Sequence, residues 1–237
     1  MTLRALIFDV DGTLANTERD GHRPAFNAAF VEVGLPWHWD ETFYGKLLDV
    51  AGGRERIRHY AERFDLPTYQ RADFDALLDR IHAIKTRNYQ RLLAAGAIPL
   101  RADIGPLICD ARTEGLRLAI ASSSTSQNVV NLLRANLGPE ADRWFEVIAA
   151  GDCVSAKKPA PDLYLWTLNA LNLPARDCLA IEDSAHGLAA SLGAGIPTVI
   201  TRSDYTPDED FAGACSVMAA HELLSLERLR AWHADTH

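Results

Sequence analysis

Two carboxylates, Asp9 and Asp11, follow directly on the apolar run Leu3 to Phe8, with Gly12 and Thr13 behind them. A short apolar run ended by acidic residues and glycine reads as a buried parallel strand delivering side chains to its carboxyl edge. In open α/β sheets that edge is where ligands bind. The same Asp-x-Asp-Gly is also an ordinary turn or helix-entry sequence, because Asp and Gly suit those positions. Three later segments weigh against the bland account. Ala119 to Ser124 ends a second apolar run in hydroxyls, Lys157 and Lys158 stand before Pro159, and Ala180 to Ser184 ends a third run in the carboxylates Glu182 and Asp183. Singly, Glu182-Asp183-Ser184 is better read as a helix N-terminus and either lysine as a surface charge. Their order along the chain is the specific signal, and it makes an enzyme the first expectation.

The elements that must position these groups can be read from the pattern around them. Strands are expected over Leu3 to Asp9, Leu116 to Ser122 and Cys178 to Asp183, with further candidates at Glu146 to Gly151 and Pro197 to Thr201. Helices are expected from Thr125 to Asn136, Pro161 to Asn172 and Ala185 to Ala194, and a fraying terminal helix from Glu222 to His237. That alternation predicts an α/β fold with a doubly wound parallel sheet. Too much chain separates the first strand from the second for a simple crossover. Residues 16–90 read as mostly helical, with Phe26, Ala29, Phe30 and Val33, then Leu77, Leu78, Ile81 and Ile84, at helical spacing. We therefore expect a core of 1–15 and 91–237 with a helical bundle, 16–90, inserted as a cap whose hinges lie beside the ligand edge. If strand geometry persists to Asp11, Asp9 and Asp11 share a face, since residues i and i+2 do.

Composition excludes several classes of function. With 237 residues, 48 % of them hydrophobic, the chain can bury a full core. No stretch approaches the roughly 20 apolar residues of a membrane span, and the N-terminus shows no signal-peptide pattern, so a cytoplasmic location is expected. A formal charge of −8 without an arginine-rich run argues against nucleic acid and anionic membrane as partners. Cys109, Cys153, Cys178 and Cys215 are scattered without ligand spacing, so buried thiols are expected instead of disulfides or zinc. No obligate protein partner is implied.

Asp9-Val10-Asp11-Gly12-Thr13, the Ser122 strand end, Lys158-Pro159 and Glu182-Asp183 together resemble the haloacid dehalogenase superfamily over nearly the whole chain. The resemblance implies a Rossmann-like core and phosphoryl transfer. It makes Asp9 the nucleophile, Asp11 the acid and base, Ser122 and Lys158 the phosphoryl-binding groups, and Mg2+ the cofactor, held by Asp9, the Asp11 carbonyl and Asp183. Glu182 binds the ion directly or orients a water. Chemistry agrees with these roles. A phosphate monoester repels nucleophiles and has a poor leaving group, so its hydrolysis needs charge neutralisation and a proton source. An aspartyl-phosphate divides one hard displacement into two easier ones. Two carboxylates beside a phosphate dianion need a cation, and an oxygen-rich site suits magnesium. The Ser123 amide can add a donor near the following helix N-terminus, where a serine-rich cap is the competing and compatible account. Lys157 is the solvated neighbour of Lys158.

Specificity is expected from the insertion. Glu18 and His22 can bind sugar hydroxyls, and Arg54, after Gly52 and Gly53 at a helix start, can hold a phosphate by its fork and by free amides. A flexible loop with a solvated arginine is the equal alternative. Lys85 lies on a helix face, where a solvated charge is the ordinary expectation, but it matches a cap lysine of sugar-phosphate members of the family. Trp37-His38-Trp39 reads as packing. The segment Thr17 to Asn27 resembles the CbbY-type sugar-bisphosphate phosphatases, related to the β-phosphoglucomutase branch. This implies a small phosphorylated sugar as substrate, xylulose-1,5-bisphosphate, and the loss of one phosphate. A phosphomutase shares the machinery, yet Thr13 departs from the apolar residue common there. A phospho-switch without turnover would leave Asp11 superfluous, and dehalogenation fits Asp11 and Thr13 less well.

Overall fold

The computed structural model describes residues 2–236 apart from 51, 152, 207, 208, 220 and 221. Ala51, within the expected glycine segment, and His237, at the end of the expected terminal helix, lie outside the described residues. In chain order the elements are β1 (Ala5–Phe8), a π-helical turn (Glu18–His22), α1 (Arg23–Glu32), α2 (Glu41–Leu47), α3 (Gly53–Phe64), α4 (Leu66–Tyr69) and α5 (Phe74–Ala94). There follow α6 (Ile104–Thr113), β2 (Arg117–Ala121), α7 (Ser126–Leu137), β3 (Val147–Ala149), α8 (Asp162–Leu171), β4 (Cys178–Glu182), α9 (Ala185–Gly193), β5 (Thr198–Thr201), β6 (Ser216–Met218) and α10 (Leu226–Asp235). The chain divides into two compact units, Met1–Asn16 with Ile98–His237, and Thr17–Ala97.

In the first unit the six strands form one sheet in the order β3-β2-β1-β4-β5-β6, all pairs parallel. This is the doubly wound α/β arrangement. Ala5 of β1 stands opposite Arg117 of β2 on one side and Cys178 of β4 on the other. Strands covered on both faces need continuous apolar sequence, which is why Ala5–Phe8 and Cys178–Glu182 are buried at every position. On one face Ala5, Ile7, Ala119 and Ala180 pack against Leu163, Tyr164, Leu168 and Leu171 of α8. After β1 the chain winds to β2 and β3 on one side, then crosses back to β4. The carboxyl ends of β1 and β4 therefore flank the point where the winding reverses, the usual place for a ligand.

Two details correct the expectations from sequence. β1 ends at Phe8, so Asp9 and Asp11 lie beyond the strand and its alternation does not relate them. The chain turns there because Gly12 takes φ +93°, and Leu14 and Ala15 both donate to the Val10 carbonyl. The expected break at 90 falls inside α5, which runs unbroken to Ala94 and ends where Gly96, at φ +65°, donates to the Leu93 carbonyl. Strand β6 and helix α6 were not anticipated, the first because three residues carry too little periodicity to register.

The second unit is helical, with α1 packed along α5. Phe26, Phe30, Trp39, Tyr44, Leu78 and Ile81 are fully buried. Trp39 lies 4.7 Å from Phe30 and 4.9 Å from Phe26 between ring centroids. Asn27 clamps the Trp39 backbone, its amide donating to the Trp39 carbonyl at 2.9 Å and its Oδ1 accepting from the Trp39 amide at 2.8 Å. Trp37 donates from Nε1 to Asp65 at 2.8 Å, and His38 is exposed. Both tryptophans are packing residues. All four cysteines are free, but only Cys178 is buried as expected; Cys153 and Cys215 are half-buried, and Cys109 is exposed on α6 because it lies off the Leu107, Ile108 and Ala111 face.

Candidate active site

The ends of β1, β2 and β4 and the segment before α8 bring together Asp9, Lys158, Glu182 and Asp183. Lys158 Nζ donates to Asp9 Oδ1 at 2.7 Å, to the Ala121 carbonyl at 2.9 Å and to Glu182 Oε1 at 2.5 Å. An ammonium has three N–H donors, so all three are engaged. Its side chain is 7 % exposed, whereas Lys157 is exposed. Glu182 Oε1 also accepts from the hydroxyl of Tyr164 at 2.6 Å. Ser203 works to lower the Asp183 carboxyl. Ser184 caps α9 by accepting from the Gly187 amide, so the helix-start reading of this segment is correct alongside the clustering of its carboxylates.

Three buried carboxylates face one ammonium, and the ionisation of Asp9 and Asp183 reflects it. Burial pushes the Asp9 carboxyl up to about 8, against the pull of Lys158 and with added repulsion from Glu182 and Asp11. Burial, then the charges of Asp9 and Glu182, holds Asp183 well above the usual carboxylate range. For Lys158 burial works downward, but Asp9 and Glu182 outweigh it and raise the ammonium above its ordinary value. One carboxylate oxygen from each of Asp9, Glu182 and Asp183 lies within 4.8 Å of the others. Glu182 Oε2 is buried with no hydrogen-bond partner among the described residues. Excess buried negative charge, hard oxygen donors and an oxygen without a donor suit a divalent cation of the magnesium type.

This imbalance predicts a pH dependence for the cation-free protein. Asp9 has a folded value near 8 against 3.8 for the ordinary group, so between those values the folded state holds a proton that the unfolded state has lost. Stability should fall as pH rises from about 4 to about 8. Lys158, raised from 10.5, contributes only above that window. Urea denaturation at stepped pH, with chelator and with magnesium, should show the cation restoring more stability at pH 8 than at pH 5; equal restoration would contradict the account.

Asp11 Oδ2 accepts from the Ser124 hydroxyl at 2.8 Å, and the Ser124 amide donates to Ser122 Oγ at 3.1 Å. Ser122 is fully buried and Ser123 exposed. The helix cap of this segment is Thr125, which accepts from the Asn128 amide, leaving the serines to the strand end.

In the second unit Glu18 and His22 lie on the π-helical turn. Glu18 Oε2 accepts from Tyr44 at 2.5 Å, and Arg56, itself buried, donates to Tyr44 at 2.8 Å and to the Leu47 carbonyl at 3.0 Å. Lys85 lies 2.8 Å from His22 Nδ1, which must accept because an ammonium only donates. The Lys85 nitrogen also lies 4.9 Å over the Phe26 ring and 5.3 Å over Tyr89. Lys85 is 9 % exposed, so the ordinary expectation of a solvated lysine is corrected: two rings and an imidazole replace its water. Arg54 belongs instead to an exposed ion pair with Asp79 at 2.7 Å, and Gly53 faces Phe26 and His82.

The haloacid dehalogenase-like hydrolase family matches residues 3–195. The plasmid CbbY protein of Cupriavidus necator is 46 % identical over 250 residues, covering 99 % of this chain and 98 % of that protein. The chain belongs to the haloacid dehalogenase-like hydrolases, in their CbbY branch. A CbbY variant from Rhodobacter sphaeroides, solved in complex with xylulose-1,5-bisphosphate, superposes on this hydrolase with a TM-score of 0.79 at 41 % identity, covering 96 % of this chain and 99 % of that one. A β-phosphoglucomutase from Clostridium difficile shares the fold, with a TM-score of 0.72 at 22 % identity over 99 % of both chains. Membership makes this hydrolase an enzyme acting on phosphoric monoesters.

Sequence reading missed Tyr164, Ser124, Ser203 and Gly187. Tyr164 sits in an apolar helix where it counts as core, and Ser203 follows β5 without any motif of its own. Gly187 carried a signal, a glycine in the first turn of a helix directly after the acidic pair. A Cβ there would overlap Glu182, and one on Gly12 would overlap Asp183. Gly187→Ala should therefore displace Glu182, with about 1–3 kcal/mol lost in stability and activity falling roughly 10-fold or more. Urea denaturation and phosphate-release assays check both, and an Ala variant with native rates would mean that Glu182 has room to yield.

Proposed function

We propose that this hydrolase removes one phosphate from a sugar bisphosphate by way of an aspartyl-phosphate on Asp9. The observation that carries the reading is the buried pairing of Asp9 with Lys158 inside the carboxylate trio. The Asp9 carboxylate attacks phosphorus while the sugar oxygen leaves, and Asp11 gives that oxygen its proton. Asp11 then takes a proton from water, whose oxygen displaces Asp9 from phosphorus. Lys158 balances the charge of the transferring group; the N–H now directed at Asp9 is released for a phosphoryl oxygen when Asp9 turns to phosphorus. Ser122 and the Ser123 amide supply further donors. Asp9, Asp183, Glu182 and the Asp11 carbonyl are the groups to hold magnesium. When bound, that ion offsets the negative charge shared by the carboxylates and the phosphate.

For the substrate we propose xylulose-1,5-bisphosphate, giving xylulose 5-phosphate and so removing an inhibitor of the carbon-fixing enzyme Rubisco. Support comes from the CbbY relatives and from the sugar bisphosphate in the R. sphaeroides CbbY structure. Sugar recognition is assigned to Glu18, His22, Gly53, Arg54 and Lys85 of the second unit. A cytoplasmic setting accords with the lack, among the described residues, of any helix long and apolar enough to cross a membrane.

The test measures phosphate and sugar products from xylulose-1,5-bisphosphate, ribulose-1,5-bisphosphate, β-glucose 1-phosphate and simple monophosphates, with and without magnesium. Magnesium-dependent release concentrated on xylulose-1,5-bisphosphate supports the full reading. Release from another sugar keeps the mechanism and discards the substrate, and glucose 6-phosphate formed without net release replaces the phosphatase with a mutase.

A further inference from the structure

Glu182 is hydrogen-bonded on one oxygen only. Oε1 accepts from both Lys158 at 2.5 Å and Tyr164 at 2.6 Å, while Oε2, also buried, has no partner among the described residues. A carboxyl group has several lone-pair sites, and burying it with one oxygen bare is costly. Among the described residues, the two donors that hold Oε1 account for that asymmetry. Lys158 alone would not, because its ammonium is a point charge with rotatable donors that can follow either oxygen. Tyr164 can. Its ring belongs to the core cluster with Ala5, Ile7, Ala119 and Ala180 and is fully buried, so its phenol oxygen, fixed in the ring plane, cannot follow the carboxylate as an ammonium can.

We infer that Tyr164 is a positioning residue that divides Glu182 into a lysine-holding oxygen and a cation-facing oxygen. The inference rests on the proposed magnesium-dependent phosphatase. With Oε1 fixed by the phenol, Lys158 is held between Glu182 and the Ala121 carbonyl, and its third N–H is aimed at Asp9 Oδ1. Oε2 is thereby kept clear of the ammonium and left to a cation, while Gly187, by lacking a Cβ, leaves room for the carboxylate itself. The bland alternative is a core tyrosine that merely satisfies its own hydroxyl on the nearest acceptor. The two accounts differ in what happens when the hydroxyl is removed and the ring kept. A space-filling tyrosine loses a little stability, whereas a positioning tyrosine loosens Glu182, so magnesium affinity and turnover fall together while substrate affinity holds.

The experiment compares the native full-length chain with Tyr164→Phe by calorimetric magnesium titration without substrate, by steady-state kinetics and by thermal unfolding. Groups that orient metal-binding side chains are worth about 10–100-fold in affinity or activity. The expected result is magnesium binding weakened about 10-fold and kcat reduced about 10-fold, with KM for the sugar bisphosphate within about 2-fold. Native magnesium affinity and kcat in Tyr164→Phe would overturn the inference and leave the functional reading standing. A native chain that binds no magnesium would overturn both. If Tyr164→Phe does not fold, the native chain labelled with 3-fluorotyrosine gives the second measurement. One of the six tyrosine resonances should shift on adding magnesium without substrate, and six unmoved resonances would overturn the inference.

Discussion

Asp9→Asn is expected to leave a folded protein whose phosphate release is lower by about 10³-fold or more, the scale on which loss of a nucleophile acts. The amide cannot attack phosphorus, yet its carbonyl oxygen can still accept from Lys158, which now bonds Asp9 Oδ1 at 2.7 Å. Stability should hold or rise when no cation is present. Burial and neighbouring carboxylates push Asp9 up to about 8, so near neutral pH the folded state already favours its uncharged form. Asparagine supplies a neutral group of the same shape and removes repulsion from Glu182 and Asp183. Phosphate-release assays and urea denaturation with chelator check the two halves separately. Near-native release would end the aspartyl-phosphate mechanism, and a large loss of stability would show that the Asp9 charge is needed to hold Lys158.

Lys158→Met is expected to damage both stability and activity. The side chain keeps its length but leaves Asp9, Glu182 and Asp183 buried together without the ammonium. Removing one partner of a buried ion pair costs about 3–5 kcal/mol, because the remaining charge stays desolvated and uncompensated. Proton uptake by Asp9 and Asp183 will offset part of this at low pH, so the loss should grow as pH rises. Phosphate release should fall by about 10²–10³-fold, the range for losing one group that stabilises charge in the transition state. Urea denaturation at pH 5 and pH 8 and single-substrate kinetics measure these effects. A variant as stable as the native chain at pH 8 would mean that the carboxylates, not the lysine, set the charge state of the cluster.

The contrast between Lys158 and Tyr164 shows what kind of information the chain carries openly. Lys158 stands beside Pro159 in a recognisable order of segments, and the structure seats it on Asp9 and Glu182. Tyr164, one short helical stretch later, touches the same glutamate yet looks like any aromatic residue on the apolar face of α8. Periodicity reports which side of a helix is buried, not which buried hydroxyl reaches a carboxylate. Lys85 makes the same point in reverse. Its sequence environment suggests solvent, whereas the structure buries it against the Phe26 and Tyr89 rings with its ammonium on His22.

What the sequence by itself determined is the alternation of strands and helices, the long helical stretch after the first strand, and the four segments that place carboxylates and hydroxyls at strand ends and a lysine before Pro159. Those are local properties: apolar runs too short for helices, glycine and proline at turns, and acidic residues where a buried strand must stop. Only the tertiary structure decided that Asp9, Glu182 and Asp183 converge, since parallel pairing of β1 with β4 joins residues far apart in the chain. It likewise decided that Gly12 turns the chain away from strand geometry before Asp11, and that Glu182 carries two donors on one oxygen and none on the other. Convergence and donor balance are set by contacts across the sheet, where energy depends on distances of a few ångströms that no one-dimensional pattern encodes.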